Sequence, residues 1–413
     1  MARIIRMFCF VAATAASWSL AAAAASAAAP PQPWTLPQPK VLENHRIRTG
    51  GWLQQGITFN SRNPADGFNG PIATNDWDGE YQMNQLWLYF ARPTDTGGYG
   101  WDWGGHFDMT YGTDWRYGVT YGLEDRINGA GQSYGLLFPQ AYLEVAYGDL
   151  KIRGGKFAGI LGYEVVPAVL NPFYSHSYAM SYTEPLLVTG LMADYQLTEQ
   201  WLLRAGFHRG WMMWEDINDT LDFMGGLHYT SYSGRTSLAY AVSIGPQDPG
   251  GDHNRFASSL VWKQKFTDRF EYILQHNLGV EDGTAAGGGQ AEWYGINQYL
   301  LYTINPKWGA GLRMEWLRDA HGTRVWGVGN MPWAQGRAWE GGTPSPFGNS
   351  FAGDFYALTA GVQWRPTPNW VVRPEVRWDW YDGPADPVNN EFPFNAGESR
   401  DQMTFAIDAI LTY

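Results

Sequence analysis

Met403-Thr-Phe-Ala-Ile-Asp-Ala-Ile-Leu-Thr-Tyr413 closes the chain, and its two-residue rhythm decides how the rest is read. Counting back by twos from Tyr413, the residues Leu411, Ala409, Ile407, Phe405 and Met403 are apolar, whereas Thr412, Asp408, Thr404 and Gln402 fall between them. Only Ile410 and Ala406 depart from the polar set. Successive side chains of a strand point to opposite faces, so this stretch has one greasy face and one hydrated face. Surface strands of water-soluble sandwiches alternate too, and the rest of the sequence has to choose between the two settings.

Working back from the terminus, the same rhythm flanks four short turn signals that each end in an aromatic: Thr198-Glu-Gln-Trp201, Thr267-Asp-Arg-Phe270, Asn305-Pro-Lys-Trp308 and Thr367-Pro-Asn-Trp370. After the third, Trp308, Ala310, Leu312, Met314 and Trp316 alternate with Gly309, Gly311, Arg313 and Glu315. After the fourth, Trp370, Val372, Val376, Trp378 and Trp380 alternate with a set that includes Arg373, Glu375, Arg377 and Asp379. Four charges on one face are intolerable against lipid and reasonable against a wet lumen. Gly148-Asp149, Ser233-Gly234 and the longer Pro93 to Gly100 supply three more turns, and Gly/Pro/Asp-rich stretches separate the hairpins so that short and long connections alternate. The pattern predicts strands over 51–60, 83–92, 101–112, 136–147, 149–157, 188–197, 201–213, 220–231, 234–244, 255–266, 270–280, 290–304, 308–318, 353–366, 370–381 and 400–413. The expected fold is therefore an all-β, transmembrane, antiparallel up-and-down β-barrel of about sixteen strands, with fourteen or eighteen as the neighbouring even counts.

The other end of the chain has the layout of a cleaved secretory signal: Arg3 and Arg6, an apolar alanine-rich run to about Ala25, and small residues before Pro30 and Pro31. Cleavage after Ala27 fits, giving a signal over 1–27, a proline-rich periplasmic segment over 28–50 and the barrel over 51–413. The only cysteine, Cys9, falls in the signal, which leaves no disulfide framework or thiolate metal site in the mature chain. After the signal no run of eighteen apolar residues exists, so helices do not span a membrane, whereas a closed barrel needs only alternation. A content of 22 Trp, 24 Tyr, 20 Phe and 50 Gly with negative mean hydropathy suits interface aromatics on a chain that is polar on average. Losing Arg3 and Arg6 takes the formal charge from −12 to −14, which disfavours nucleic acid as a partner.

An aromatic carboxyl-terminal residue on such a strand resembles the signal by which bacterial outer-membrane barrels engage their assembly machinery, and Tyr413 occupies that position. Local motifs carry the likeness further. Gly155-Lys-Phe-Ala-Gly-Ile-Leu-Gly-Tyr-Glu164, Asn171-Pro-Phe-Tyr-Ser-His-Ser-Tyr178, Glu184-Pro185, Thr189-Gly190 and Gly210-Trp211 resemble the putative beta-barrel porin-2 (OmpL-like) family across most of the mature chain. The resemblance implies a channel in the outer membrane, surrounded by lipid, with periplasmic termini and small hydrophilic solutes passing through. It implies no catalytic residue and no cofactor. Homotrimers are common among general porins, though no stretch of this sequence names an interface. Residues 158–187 form the third long connection, at the position where general porins fold a segment inward. Glu164, Tyr174, His176, Tyr178 and Glu184 are accordingly the constriction candidates.

The alternation assigns Lys151, Arg153, Arg204, Arg313, Arg373 and Arg377, with Glu315, Glu375 and Asp379, to the pore lining, and inward bases and acids nearly balance. Excess acid lies in the outer loops, with Asp66, Asp76, Asp78 and Glu80 in the first and Asp382, Asp386, Glu391 and Glu398 in the last. An acidic mouth enriches cations, within a screening length of roughly 8–10 Å, so a mild cation preference at low salt is expected.

Other readings are open. Trp87, Tyr89, Tyr142, Trp293, Tyr299 and Tyr381 point inward and could stack sugars, although wall packing is the commoner use of such residues. Lys151, Arg153 and Lys156 could favour phosphate or another anion, against the commoner pairing of lumen bases with carboxylates. Glu215, Asp216, Asn218, Asp219 and Asp222 gather oxygens without the spacing of a calcium loop, and the histidines lack ligand spacing, so no metal is assigned. A barrel enzyme of the lipase or acyltransferase kind would need a nucleophile beside a base. Ser175-His176-Ser177 offers only neighbours that point apart on an extended segment. A secreted carbohydrate-active protein could use Trp101-Asp-Trp103 or Trp378-Asp-Trp380, but the regular hairpins and the terminal strand speak against it.

Overall fold

A computed structural model describes residues 33–129, 132–285, 287–325, 351–387 and 390–413. The expected signal over 1–27, with Cys9, and the first prolines of the next segment lie outside these residues.

Alternation becomes β1 (Arg48–Asn60), β2 (Tyr81–Arg92), β3 (Trp101–Gly112), β4 (Gly135–Leu137), β5 (Ala141–Tyr147), β6 (Leu150–Ala158), β7 (Leu187–Gln196), β8 (Trp201–His208) and β9 (Asp222–Thr230). Around the second half run β10 (Thr236–Pro246), β11 (Asn254–Lys265), β12 (Phe270–Ala285), β13 (Gly289–Asn305), β14 (Trp308–Asp319), β15 (Gly353–Trp364), β16 (Trp370–Asp382) and β17 (Asp401–Thr412). β4 and β5 both pair with β3 and together make one stave interrupted at 138–140, so the seventeen strands form sixteen staves. Every neighbouring pair is antiparallel, and β17 returns to β1 from Trp52↔Thr412 to Asn60↔Thr404, which closes the sheet. Closure leaves no open edge, the condition a sheet must meet to sit in lipid.

The two faces differ as the rhythm requires. Phe405, Ile407, Met403, Phe207, Leu191, Trp201, Leu143 and Trp378 are among the large apolar residues that face outward and are exposed, while Gln402, Thr404 and Asp408 on β17 are buried on the inner face. No helix among the described residues is long and apolar enough to cross a membrane.

Three departures from simple alternation matter. β8 ends at His208 rather than running on to 213, because Gly210 at φ +108° and Met212 at φ +56° turn the chain away from the ladder. β12 and β13 run past their expected ends and are joined by only residues 286–288. On β2 the register with β1 slips between Gln54 and Gln55, a bulge that leaves both Asn84 and Gln85 buried although they are adjacent.

At the end of the short turns, the segment before β1 is pinned to the wall. Trp34 N–H donates to Asn369 at 2.8 Å, the Gln38 side chain donates to the Thr49 carbonyl at 2.9 Å, and Arg46 pairs with Asp102 at 3.1 Å.

Candidate functional site: the lumen and the segment within it

Register places charge in rows around the inner wall. One register row runs Gln275, Asn297, Glu315, Ala357, Asp379, Gln402, and the next runs Ile273, Tyr299, Arg313, Thr359, Arg377, Thr404. The Arg-x-Glu of β14 and the Arg-x-Asp of β16 therefore lie level, separated only by the small Ala357 and Thr359 of β15. That narrow gap lets Arg377 Nη1 reach Glu315 Oε1 at 3.3 Å across β15, while each arginine also holds its own strand's acid: Arg313 Nε to Glu315 at 2.7 Å and Arg377 Nε to Asp379 at 2.8 Å.

Onto this network comes the connection 159–186. Glu164 Oε1 accepts from Arg313 Nη1 at 2.9 Å and from the Tyr299 hydroxyl at 3.0 Å, and Glu164 Oε2 accepts from the Ser177 N–H at 2.7 Å. Burial alone would raise the Glu164 carboxyl. Arg313, His176 and the Ser177 N–H outweigh it and hold the group well below the usual carboxylate range. The Tyr178 N–H donates to Glu315 at 2.8 Å and its hydroxyl to Asp379 at 2.8 Å. Glu375 accepts the consecutive N–H groups of Tyr174 and Ser175 at 2.8 and 3.1 Å. Arg373 grips Asp408 at 2.5 Å and also donates to the Asn171 carbonyl at 2.7 Å. The Tyr174 hydroxyl donates to Asn84 at 2.9 Å, and the bulge residue Gln85 donates to the Val166 carbonyl at 2.8 Å.

Farther along the ring, Tyr163 N–H donates to Gln275 and Gly162 N–H to Ser259 at 3.0 and 2.9 Å, and Leu161 packs in one cluster with Met192, Met224 and Ala241. A single segment touches β2, β7, β11, β12, β14 and β16 of a closed ring, which is reachable only from inside it. The wall makes room with glycine. A Cβ on Gly311 or Gly361 would stand 2.9 or 3.1 Å from the Phe173 ring, and one on Gly56 would stand 2.6 Å from the Tyr174 ring.

The candidate residues thus divide. Arg313, Glu315, Arg373, Glu375, Arg377 and Asp379 meet Glu164, Tyr174, His176 and Tyr178 in one network, with His176 giving its carbonyl to Arg377 at 2.8 Å. Glu184 stands apart, accepting from Asn277 at 3.1 Å. Lys151, Arg153 and Arg204 belong to a different sector: Arg153 pairs with Asp194 at 3.0 Å, Arg204 approaches the same carboxylate at 3.6 Å, and Lys151 lies 3.9 Å from Glu144. Lys156 reaches Glu124 at 2.5 Å instead of joining them.

Sequence reasoning did not single out Asn84, Gln85, Gln275 and Asn277, nor Asp114, Arg116 and Glu124 of the second long connection. Arg116 is held by Asp76 at 2.7 Å, and Asp114 accepts from both Asn84 and Gln85 at 2.8 Å. Amide side chains at inward positions were the available signal.

The remaining candidates have definite places. Trp87 stacks on Trp52 with centroids 4.5 Å apart, and Trp293, Tyr299 and Tyr381 are buried in packing clusters, whereas Tyr89 and Tyr142 flank the His106 ring at 6.2 and 6.0 Å. Ser175 Oγ accepts from Arg313 at 2.9 Å and Ser177 Oγ accepts the Met180 N–H at 3.3 Å. Glu215 pairs with Arg126 and Asp222 accepts from Gln247, and no group of three metal-binding side chains exists among the described residues. Of the acids at the expected mouth, Asp76 is neutralised by Arg116 and Asp386 is buried.

Solved structures share this architecture. The outer-membrane channel DcaP of Acinetobacter baumannii superposes with a TM-score of 0.55 at 11% identity over 89% of this chain and 97% of that one. The anion-selective porin from Comamonas acidovorans gives 0.56 at 10% identity over 89% and 99%, and the trimer form of OmpT from Vibrio cholerae gives 0.53 at 10% identity over 89% and 99%. No curated protein matches the sequence. A family model covers residues 46–413, the whole ring from the approach to β1 to the terminal tyrosine, and the chain belongs to the family described as "Putative beta-barrel porin-2, OmpL-like".

Proposed function

We propose that this chain, an outer-membrane channel by family, lets small hydrophilic solutes diffuse passively through whatever part of the lumen segment 159–186 leaves free. The observation that carries the proposal is the division of faces: lipid-compatible residues outside a closed ring, and a polar, ionised interior. The segment's anchorage by Glu164, Tyr174, His176, Tyr178 and Glu184 makes it the natural determinant of pore width. The short turns and termini face the periplasm in this reading, and the barrel-assembly machinery engages the strand ending at Tyr413. Assembly as a homotrimer agrees with the trimer form recorded for OmpT. The signal over 1–27 directs export. The channel reading is preferred to an enzymatic one because the family is one of porins.

A mild cation preference at low salt still follows from the overall acid excess, weakened by the neutralisation of Asp76. Planar-bilayer recording tests these points together. Deleting residues 164–180 is expected to enlarge the conductance, and an unchanged conductance would remove the segment from the mechanism. A reversal potential of anionic sign across a KCl gradient would refute the cation preference.

A further inference from the structure

Every stave of the ring carries at least one inner-face residue that is shut off from water. The register row that starts at Met192 on β7 and passes Ser243, Ala257 and Trp293 to reach Gly353 on β15 is buried at each of its residues. On β17, β1, β2, β3 and β4 the inner residues Thr404, Thr58, Asn84, Thr110 and Leu137 are equally dry. A bore filled with water would keep one sector of its lining wet from end to end. Here partly exposed inner residues such as Glu144, Lys151, His228 and Lys263 lie within a few residues of the short-turn ends of their strands, where they line a vestibule below the covered belt.

Two kinds of contact cover that belt. From β14 round to β2 the cover is the stretch 164–178, fixed by the ion pairs and charge-assisted hydrogen bonds of Arg313, Glu315, Glu375 and Arg377. From β7 to β13 the cover is apolar. Leu161 and Trp211 join Phe157, Met192, Met224 and Trp293 in one buried cluster, and Ile160 packs against it. Small wall residues make the seat: a Cβ on Gly226 would stand 3.2 Å from Ile160 Cδ1, and one on Gly279 would stand 2.0 Å from the Trp293 indole. Trp211 is oriented by its N–H to Gln247 at 3.0 Å and by its indole N–H to Ser243 at 3.2 Å. On the long-loop side Arg255 lies 4.7 Å over the Trp211 ring and Arg324 lies 4.8 Å over the Trp293 ring, with Glu281 at 2.6 and 3.9 Å from the two bases. A polar vestibule, an apolar seal and a polar outer layer therefore follow one another along the axis.

The two halves of the cover differ in what it costs to part them. Pulling Glu164 or Tyr178 from the wall would leave buried charges without a partner, which is strongly unfavourable. Parting the apolar half strands no charge, and the buried Nε1 of Trp293, which has no acceptor among the described residues, would gain water. Glycine stands beside both covering side chains: Gly162 follows Leu161 at φ +85°, and Gly210 precedes Trp211 at φ +108°. Each can pivot without the strain a Cβ would bring.

From these observations we infer that this arrangement is the closed state of the channel, and that the seat of Ile160, Leu161 and Trp211 against Met192, Met224 and Trp293 is its gate. The inference rests on the channel reading and deepens it by naming where the lumen opens. The ion-paired stretch 164–178 stays on the wall; the apolar side chains leave their seat, and water enters between them. A constriction of this kind blocks ions because a narrow apolar gap stays dry until it widens.

Planar-bilayer recording on the full chain is the test. The unaltered channel is expected to dwell closed, with brief openings. Leu161→Ser removes most of the apolar area that opening would wet at this position, so the ratio of open to closed time is expected to rise about tenfold at an unchanged current per opening. Leu161→Met keeps that area and is expected to keep the original dwell times. Shifted mobility on unheated gels confirms that each variant is folded. Because Cys9 is the only cysteine of the sequence and falls in the expected signal, Ile160→Cys with Ala241→Cys offers one pair for a short bifunctional thiol reagent. Joining them, as checked by mass, is expected to abolish openings, while the same reagent on either single variant leaves them. Original dwell times in Leu161→Ser, a change confined to the size of each opening, or steady current through the joined pair would discard the gate. Current from the barrel lacking 164–180 would then still keep the channel. No current from any of these proteins discards both.

Discussion

At the scale of single residues, two carboxyl groups of one segment do opposite electrostatic work. Glu164 is ionised and surrounded by donors, so it fastens the segment to Arg313 and Tyr299. Replacing it by glutamine keeps the shape but leaves Arg313 with Glu315 alone, and breaking a buried pair from one side costs about 3–5 kcal/mol. Glu164→Gln is therefore expected to lower the urea midpoint of the folded barrel, and Glu164→Gln with Arg313→Met to recover part of the loss. Among the described residues no cation pairs with Glu184. Burial first, and the Glu164 charge as well, push its carboxyl up to about 8, against the opposing hydrogen bond from Asn277. Gln275 and Asn277 face it with neutral amides, and its Oε1 has no partner among the described residues. Because the folded pKa lies above the unfolded value of 4.5, the folded state holds a proton that the unfolded state has lost between those limits. The stability contributed by this group is complete below pH 4.5, declines as pH rises, and is gone above about 8. Raising the pH from 6 to about 9 is expected to increase current fluctuations from the loosened segment, and Glu184→Gln to remove that dependence; a pH response retained in Glu184→Gln would assign it elsewhere.

At the scale of elements, β15 is the floor on which the inner segment lies. Its inward residues Ala357, Thr359 and Gly361 are small, and Phe173 rests on Gly361 and on Gly311 of the adjoining strand. A leucine at 361 would put atoms where the Phe173 ring stands. Gly361→Leu is therefore expected to lift residues 172–175 from the wall and change single-channel conductance while the barrel still migrates as folded on an unheated gel. Unaltered conductance would mean that the ring finds another seat at no consequence to the pore. This seat also marks what the sequence could tell. Strand existence, the number of staves and the facing of Arg313, Glu315, Arg377 and Asp379 follow from a period of two, which burial enforces at every residue of a wall with oil on one side. The inner path does not have a period. It depends on glycines at 56, 311 and 361 that are remote in the chain, on a bulge that turns Asn84 and Gln85 to the same side, and on acids of the second long connection. Each of these is a three-dimensional coincidence with no local signature, so the motif around Asn171 to Tyr178 could be placed only by likeness to other barrels.

At the scale of the whole molecule, the barrel exists because its last strand finds its first. Nine residue pairs join β17 to β1, the Tyr413 N–H donates to the Gly51 carbonyl at 2.9 Å, and its hydroxyl donates to the Trp87 carbonyl at 2.8 Å. Two roles can be separated here. The ladder supplies closure, without which β16 and β1 would each present unpaired backbone to lipid at several kcal/mol per group. The aromatic terminus adds an anchor on the neighbouring stave β2. Deleting residues 403–413 is accordingly expected to abolish the heat-modifiable form entirely, because a fifteen-stave sheet cannot close in the same register. Tyr413→Ser retains the Gly51 backbone bond and the nine pairs but loses the hydroxyl bridge and the ring, so its equilibrium stability is expected to change by only about 1 kcal/mol. If Tyr413 also addresses the chain to the assembly machinery, the same variant will insert markedly more slowly in cells while refolding into detergent at an unaltered rate. Equal slowing in cells and in detergent would place the tyrosine's contribution in closure alone, and would leave recognition to some other part of the last strand.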